Sequence, residues 1–143
     1  MPSYLIVANQ TLFSPTLMAE VRQRARDGDV TFHVVVPATP IPHALTWDEA
    51  EARDAAQERL DAVLARLRSL GAQADGEVGC ADPVAAAQDA LRDRSVDEVI
   101  LSTLPSGVSR WLGQDVPARL RRAVAVPVTT VTATATQEAP TAR

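Results

Sequence analysis

Val30-Thr31-Phe32-His33-Val34-Val35-Val36 is rich in β-branched side chains and mostly apolar on both of its alternating faces. A strand with one wet face alternates polar with apolar. A run without that alternation therefore predicts a central strand covered on both sides, as in a parallel sheet sandwiched between helices. Upstream, Tyr4-Leu5-Ile6-Val7-Ala8 is a second short apolar run and ends at Asn9. Ser14-Pro15 then opens a helix in which Leu17, Met18, Val21 and Ala25 recur at helical spacing as far as Asp27-Gly28. Downstream, Pro37, Pro40 and Pro42 keep the chain extended until Thr46, with Glu49 three residues later, begins a long helix as a capping box. Leu60, Val63, Leu64, Leu67 and Leu70 form its apolar stripe, and Gly71 ends it.

The rest of the chain repeats the pattern. Ala72 to Val78 is a weaker strand, interrupted by Asp75 and Gly76, and it ends at Gly79-Cys80. Asp82-Pro83 caps a third helix whose inward face carries Val84, Ala87 and Leu91. Glu98 to Ser102 is a fourth strand, followed by a loop through Gly107 and Gly113. Asp115 is expected to cap a helix bearing Val116, Leu120 and Val124, and Pro127 to Val131 forms the last strand. Strands alternating with helices predict one α/β domain over residues 1–132, a three-layer α/β/α arrangement around a five-stranded, mainly parallel sheet. Residues 133–143 are threonine, alanine and proline without periodicity and are expected to be a disordered tail. In such sheets ligands bind beyond the carboxyl ends of the strands, where the strand order reverses. Those ends here carry Asn9, Val36-Pro37, Gly79-Cys80 and the loop from Ser102 to Gly113.

Composition narrows the function. With 143 residues, 46% hydrophobic and 22% charged, the chain has the make-up of one soluble globular domain. Its 14 basic and 18 acidic residues leave a net charge of −4, so there is no electrostatic footprint for a nucleic acid. Every basic residue is arginine. That inventory excludes a Walker A phosphate site and Schiff-base chemistry, both of which need lysine. The single cysteine, Cys80, excludes an internal disulfide and a thiolate cluster within one chain. Neither a signal-peptide pattern nor an apolar run long enough to span a membrane is present, and a cytoplasmic location is expected.

Several of these segments together resemble the universal stress protein family. Leu5-Ile6-Val7-Ala8-Asn9 is similar to its first strand, which usually ends in aspartate, and Phe32-His33-Val34-Val35-Val36-Pro37 to its second. Gly79 followed by Asp82-Pro83 resembles its third strand-to-helix turn. The most specific likeness runs from Val99-Ile100-Leu101-Ser102 through Gly107-Val108-Ser109-Arg110-Trp111-Leu112 to Val116, Arg119-Leu120 and Pro127-Val128-Thr129. The resemblance implies a Rossmann-like fold of the adenine-nucleotide hydrolase type and a homodimer formed through the last strand, Val126 to Val131. It further implies a site for ATP or another adenine nucleotide built from Asn9, the backbone of Val34, Ser102, Thr103, Ser106, Gly107, Ser109, Arg110 and Asp115.

The phosphate loop departs from the family's pattern. ATP-binding members space glycines as G-x2-G-x9-G followed by serine or threonine, so that backbone amides approach the phosphates at a helix N-terminus. Counted from Ser102, the glycine positions hold Ser102, Pro105 and Asp115, with Val116 in place of the hydroxyl; counted from Leu101, they hold Leu101, Leu104 and Gln114. Pro105 removes an amide donor, and a capping carboxylate at Asp115 repels phosphate. The expectation is a dimeric, non-enzymatic regulatory or stress-response module with absent or altered nucleotide binding, open to a protein partner but not to nucleic acid or membrane. The alternative is an ATP- or AMP-binding universal stress protein with slow or no hydrolysis.

Other residues carry less. His33 lies inside an apolar strand as a satisfied histidine rather than a catalytic base, and His43 lacks further metal ligands in its neighbourhood. Cys80 reads as a small packed thiol, Trp47 and Trp111 as packing residues, and Arg119-Leu120-Arg121-Arg122 as a solvated edge. A phosphorylated receiver domain needs an acidic cluster after the first strand and a lysine near the last, and this chain has neither.

Overall fold

The computed structural model describes residues 2–9, 11–26, 28–38, 49–104 and 115–133. Five strands alternate with four helices among them: β1 (Ser3–Val7), α1 (Pro15–Ala25), β2 (Thr31–Pro37), α2 (Glu49–Ser69), β3 (Gln73–Gly79), α3 (Pro83–Leu91), β4 (Glu98–Thr103), α4 (Val116–Ala123) and β5 (Val128–Thr132). They form one sheet in the order β3-β2-β1-β4-β5, and every pairing is parallel. The three-layer α/β fold expected from the alternation is the one observed. The proposed Thr46 cap, His43, Trp47, Trp111 and residues 134–143 of the tail lie outside the described residues.

Local signals account for most element ends. The Ser14 hydroxyl accepts from the Thr16 amide at 3.2 Å, with Pro15 behind it, and Asp82 Oδ1 accepts from the Val84 amide at 3.1 Å ahead of Pro83. At the end of α2 the Ala72 amide reaches back to the Leu67 carbonyl and the Gly71 amide to that of Arg68, with Gly71 at φ 90°. This is the left-handed exit that glycine takes without steric cost.

The sheet divides the interior in two. Ile6, Phe32, Val34, Val36 and Ile100 face α1 and α2, meeting Leu17, Val21, Leu60, Val63 and Leu67. Leu5, Val7, Val35, Val99 and Leu101 face α3 and α4, meeting Val84, Ala87, Val116 and Leu120. Successive residues of one strand thus enter opposite cores, which is why the central strands are largely apolar, with His33 of β2 the buried exception. The weak third strand has its own logic. A Cβ added to Gly76 would stand 2.5 Å from the Val34 carbonyl oxygen and 2.6 Å from Leu60 Cδ1, so α2 packs directly on the backbone there. Asp75 and Glu77, exposed on this edge strand, hold the buried His33: its Nδ1 is 2.7 Å from Asp75 Oδ1 and its Nε2 is 2.9 Å from Glu77 Oε1.

A polar stitch closes the opposite side. Arg24 of α1 donates from Nε and Nη2 to the two oxygens of Glu98 at 3.0 and 2.8 Å, and from Nη1 to Glu20 at 2.6 Å, while its guanidinium lies 5.7 Å from the Tyr4 ring centroid. The Thr129 hydroxyl donates to the same Glu98. The Arg24 hydrogen bonds hold the Glu98 carboxyl below its ordinary range against the cost of its burial, with Thr129 assisting.

Two outcomes follow from this packing. Gly76→Ala is expected to destabilise the fold by about 2 kcal/mol in denaturant melts, because the new methyl meets the Val34 backbone carbonyl, which can move only with the ladder, and displaces Leu60 as well. For Glu98 the depressed folded value means the stitch is fully present above the unfolded carboxyl's pKa of 4.5 and is lost progressively as the pH falls below it. Glu98→Gln is accordingly expected to cost about 2 kcal/mol at neutral pH and to flatten the acid limb of the stability curve.

Candidate functional site

The strand order turns at β1 and β4, which follow opposite directions of winding, and the crevice beyond their carboxyl ends is the place a ligand would enter. Asn9 sits there, two residues past the end of β1, and is 4% exposed. Its Nδ2 donates to the Pro37 carbonyl at the end of β2 at 2.7 Å, and its Oδ1 accepts from Arg59 Nη1 of α2. One carboxamide therefore ties the ends of two strands to a helix. The loop then turns through Thr11, whose hydroxyl shares a 2.6 Å hydrogen bond with that of Ser102 on β4, both side chains being buried. The polar groups at the turning point are thus bound largely to one another.

Ser102 and Thr103 separate at this point, because adjacent strand residues face opposite ways. Ser102 lies on the α1 side with Thr11, whereas Thr103 shares the α3 and α4 side with Val99 and Leu101. Thr103 is 2% exposed, its carbonyl accepts from the Ala133 amide at 3.0 Å, and its hydroxyl has no partner among the described residues. Val34 stands apart from this group. It pairs with Ile6 and Gly76 in the interior of the ladder, three residues short of the strand end, with its side chain in the α2 core.

Asp115 precedes α4 as expected, but the cap is not the one the sequence implies. Its backbone is left-handed, at φ 57° and ψ 36°, and its side chain makes no capping hydrogen bond; only its carbonyl enters the helix, accepting from the Arg119 amide at 3.0 Å. An Asn- or Asp-tolerated left-handed turn explains the aspartate better than capping does, and it is the conformation in which glycine is the least strained residue. Pro117, in the first turn of α4, removes one of the amides that a helix start would present to an anion. Arg119 donates to both oxygens of Asp82 at 3.1 and 3.3 Å, an ion pair at the surface that joins α4 to the start of α3. Pro105, Ser106, Gly107, Ser109 and Arg110 lie outside the described residues.

Two participants escape a reading by motif. Thr11 has no spacing that marks it, and Arg59 is one exposed arginine among several on α2, with nothing in its spacing to single it out. Cys80 is half-buried with its thiol directed at the Asp82 carbonyl at 3.6 Å. Among the described residues no three metal-ligating side chains come together, and no helix is long and apolar enough to cross a membrane.

Neither a sequence-family model nor a curated protein matches the chain. Solved structures do. A universal stress protein from Archaeoglobus fulgidus superposes with a TM-score of 0.57 at 14% identity, covering 92% of this chain and 93% of the other. A universal stress protein family member from Burkholderia pseudomallei gives 0.57 at 18% identity, covering 90% and 93%. A universal stress protein in complex with cAMP gives 0.52 at 17% identity, covering 92% and 97%. With β3-β2-β1-β4-β5 all parallel and helices on both faces, the chain has the fold of the universal stress proteins.

Proposed function

We propose that this chain is a non-enzymatic regulatory module of the universal stress protein type, cytoplasmic and homodimeric, whose nucleotide crevice has been altered so that adenine nucleotides no longer bind. The observation that carries this reading is Asn9. At the position where the resemblance places an aspartate, its carboxamide is occupied on both sides by Pro37 and Arg59. The Thr11–Ser102 hydrogen bond, the left-handed Asp115 and Pro117 at the start of α4 point the same way. Two observations favour a second reading, retained nucleotide binding: the buried Thr103 hydroxyl has no partner among the described residues, and a neighbour of the same fold carries cAMP.

Calorimetric titration separates the two. ATP with magnesium, AMP and cAMP are each expected to give no binding heat at millimolar concentration, and micromolar affinity for any of them overturns the reading. Asp115→Gly is expected to raise stability by about 1 kcal/mol by removing left-handed strain. Nucleotide binding gained in that variant alone would trace the loss to this one carboxylate.

Dimerisation is proposed through β5, an edge strand of valine and threonine with half-exposed side chains. Solution scattering is expected to return twice the chain mass, and a monodisperse monomer at high concentration removes the proposal.

A further inference from the structure

At the amino end of the sheet, opposite the crevice just described, the C-terminal ends of α3 and α4 part around a groove of about 630 Å3. That is within the range of cavities that hold small organic molecules. Its walls are apolar: Leu91 and Val96 on one side, Val124 and Val126 on the other, all but Val96 only half-buried. Gln88 stands at its rim, and Arg94 lines it.

Arg94 is the unusual member. Its Nε is buried and has no acceptor among the described residues, although a guanidinium nitrogen taken from water ordinarily keeps one. Its Nη1 lies 3.7 Å from Asp75 Oδ2, a loose contact to a half-exposed carboxylate on β3. The Nε–H belongs to the other edge of the guanidinium, shared with Nη2, and it is this edge that grips a carboxylate with two parallel hydrogen bonds. Arg92 also lines the groove, but it is exposed and paired on the surface with Asp89 at 3.0 Å, whereas Arg94 reaches into the protein. The helix ends that form the walls direct carbonyl dipoles toward the groove and by themselves disfavour an anion, so selection of a negative charge falls to Arg94.

From this pairing of an apolar cleft with a lining guanidinium whose Nε lacks an acceptor among the described residues, we propose that the groove between α3 and α4 binds a small amphipathic carboxylate, its head on Arg94 and its hydrocarbon body along Leu91, Val96, Val124 and Val126. The site is separate from the nucleotide crevice and stands whether or not the crevice is functional.

The test uses octanoate and the uncharged octanamide as probes on the intact chain, with binding followed through backbone amide resonances. Octanoate is expected to shift the signals of Val96 and Val124 at saturable concentrations. Octanamide is expected to bind about tenfold more weakly, and both Arg94→Gln and Arg94→Lys to weaken octanoate by about tenfold or more, since lysine lacks the two-pronged edge. Equal binding of the two probes, octanoate binding unaffected by Arg94→Gln, shifts confined to the carboxyl end of the sheet, or no saturable binding would each overturn the proposal. Should Arg94→Gln unfold, Val124→Glu serves instead. It sets a carboxylate in the wall and is expected to abolish octanoate binding, and retained affinity counts against the site.

Discussion

A strand that is hydrogen-bonded along both edges and covered on both faces has nowhere to place a polar group except at its ends. β1 is that strand here, paired with β2 on one side and β4 on the other, with Leu5, Ile6 and Val7 alternating between two cores. The constraint spreads outward. β2 and β4 inherit it because they flank β1, the helices must supply an apolar face to each side, and polar chemistry collects at the strand ends, at Asn9, Thr11, Ser102 and Thr103. Toward the edges it relaxes, and there the sheet carries charge: Asp75 and Glu77 on β3, and Glu98 at the amino end of β4 where α1 supplies Arg24.

This gradient explains what was legible in the sequence. The central strands announce themselves through mostly apolar, β-branched runs such as 30–36, and the helix starts at Ser14-Pro15 and Asp82-Pro83 through side chains that cap and prolines that pre-set the first turn. β3 was faint for a physical reason. Its glycine is required by the close approach of α2 and its acidic residues by His33, so tertiary demands replaced the β-propensity that marks a strand. His33 itself reads correctly as a satisfied histidine, but its partners lie more than forty residues away and come from register, not from spacing.

The site was legible only in part, and for the same reason. Asn9 and Ser102 were found because they end strands, and their location follows from the alternation of elements. What they do there depends on Thr11 and Arg59, which meet them through a turn and through a helix packed from the far side. Asp115 shows the limit most clearly. An aspartate before a helix is the ordinary sign of a cap, yet the backbone is left-handed and the carboxylate unused for capping, so the residue type was informative about conformation rather than hydrogen bonding.

Satisfaction of buried polar groups is the criterion that orders the rest. A buried donor or acceptor has to find a partner from the chain, from water or from a ligand, and which of these it finds separates architecture from function. Asn9, Thr11 and Ser102 find theirs within the chain, which turns the carboxyl end of the sheet into a brace among β1, β2, β4 and α2. Arg94 Nε and Thr103 Oγ1 do not find theirs among the described residues, and they lie at opposite ends of the α3 and α4 layer. That layer differs from its counterpart in depth. The long α2 covers β2 and β3 and shares its core with α1, whereas α3 and the eight-residue α4 diverge at their ends and leave room between them. Buried polar groups without a partner, set beside apolar walls, are the raw material of a binding site. The hydrogen bonds around Asn9 thus close the polar groups at the carboxyl end of β1 on one another, whereas on the α3 and α4 face Arg94 Nε and Thr103 Oγ1 are left without partners among the described residues.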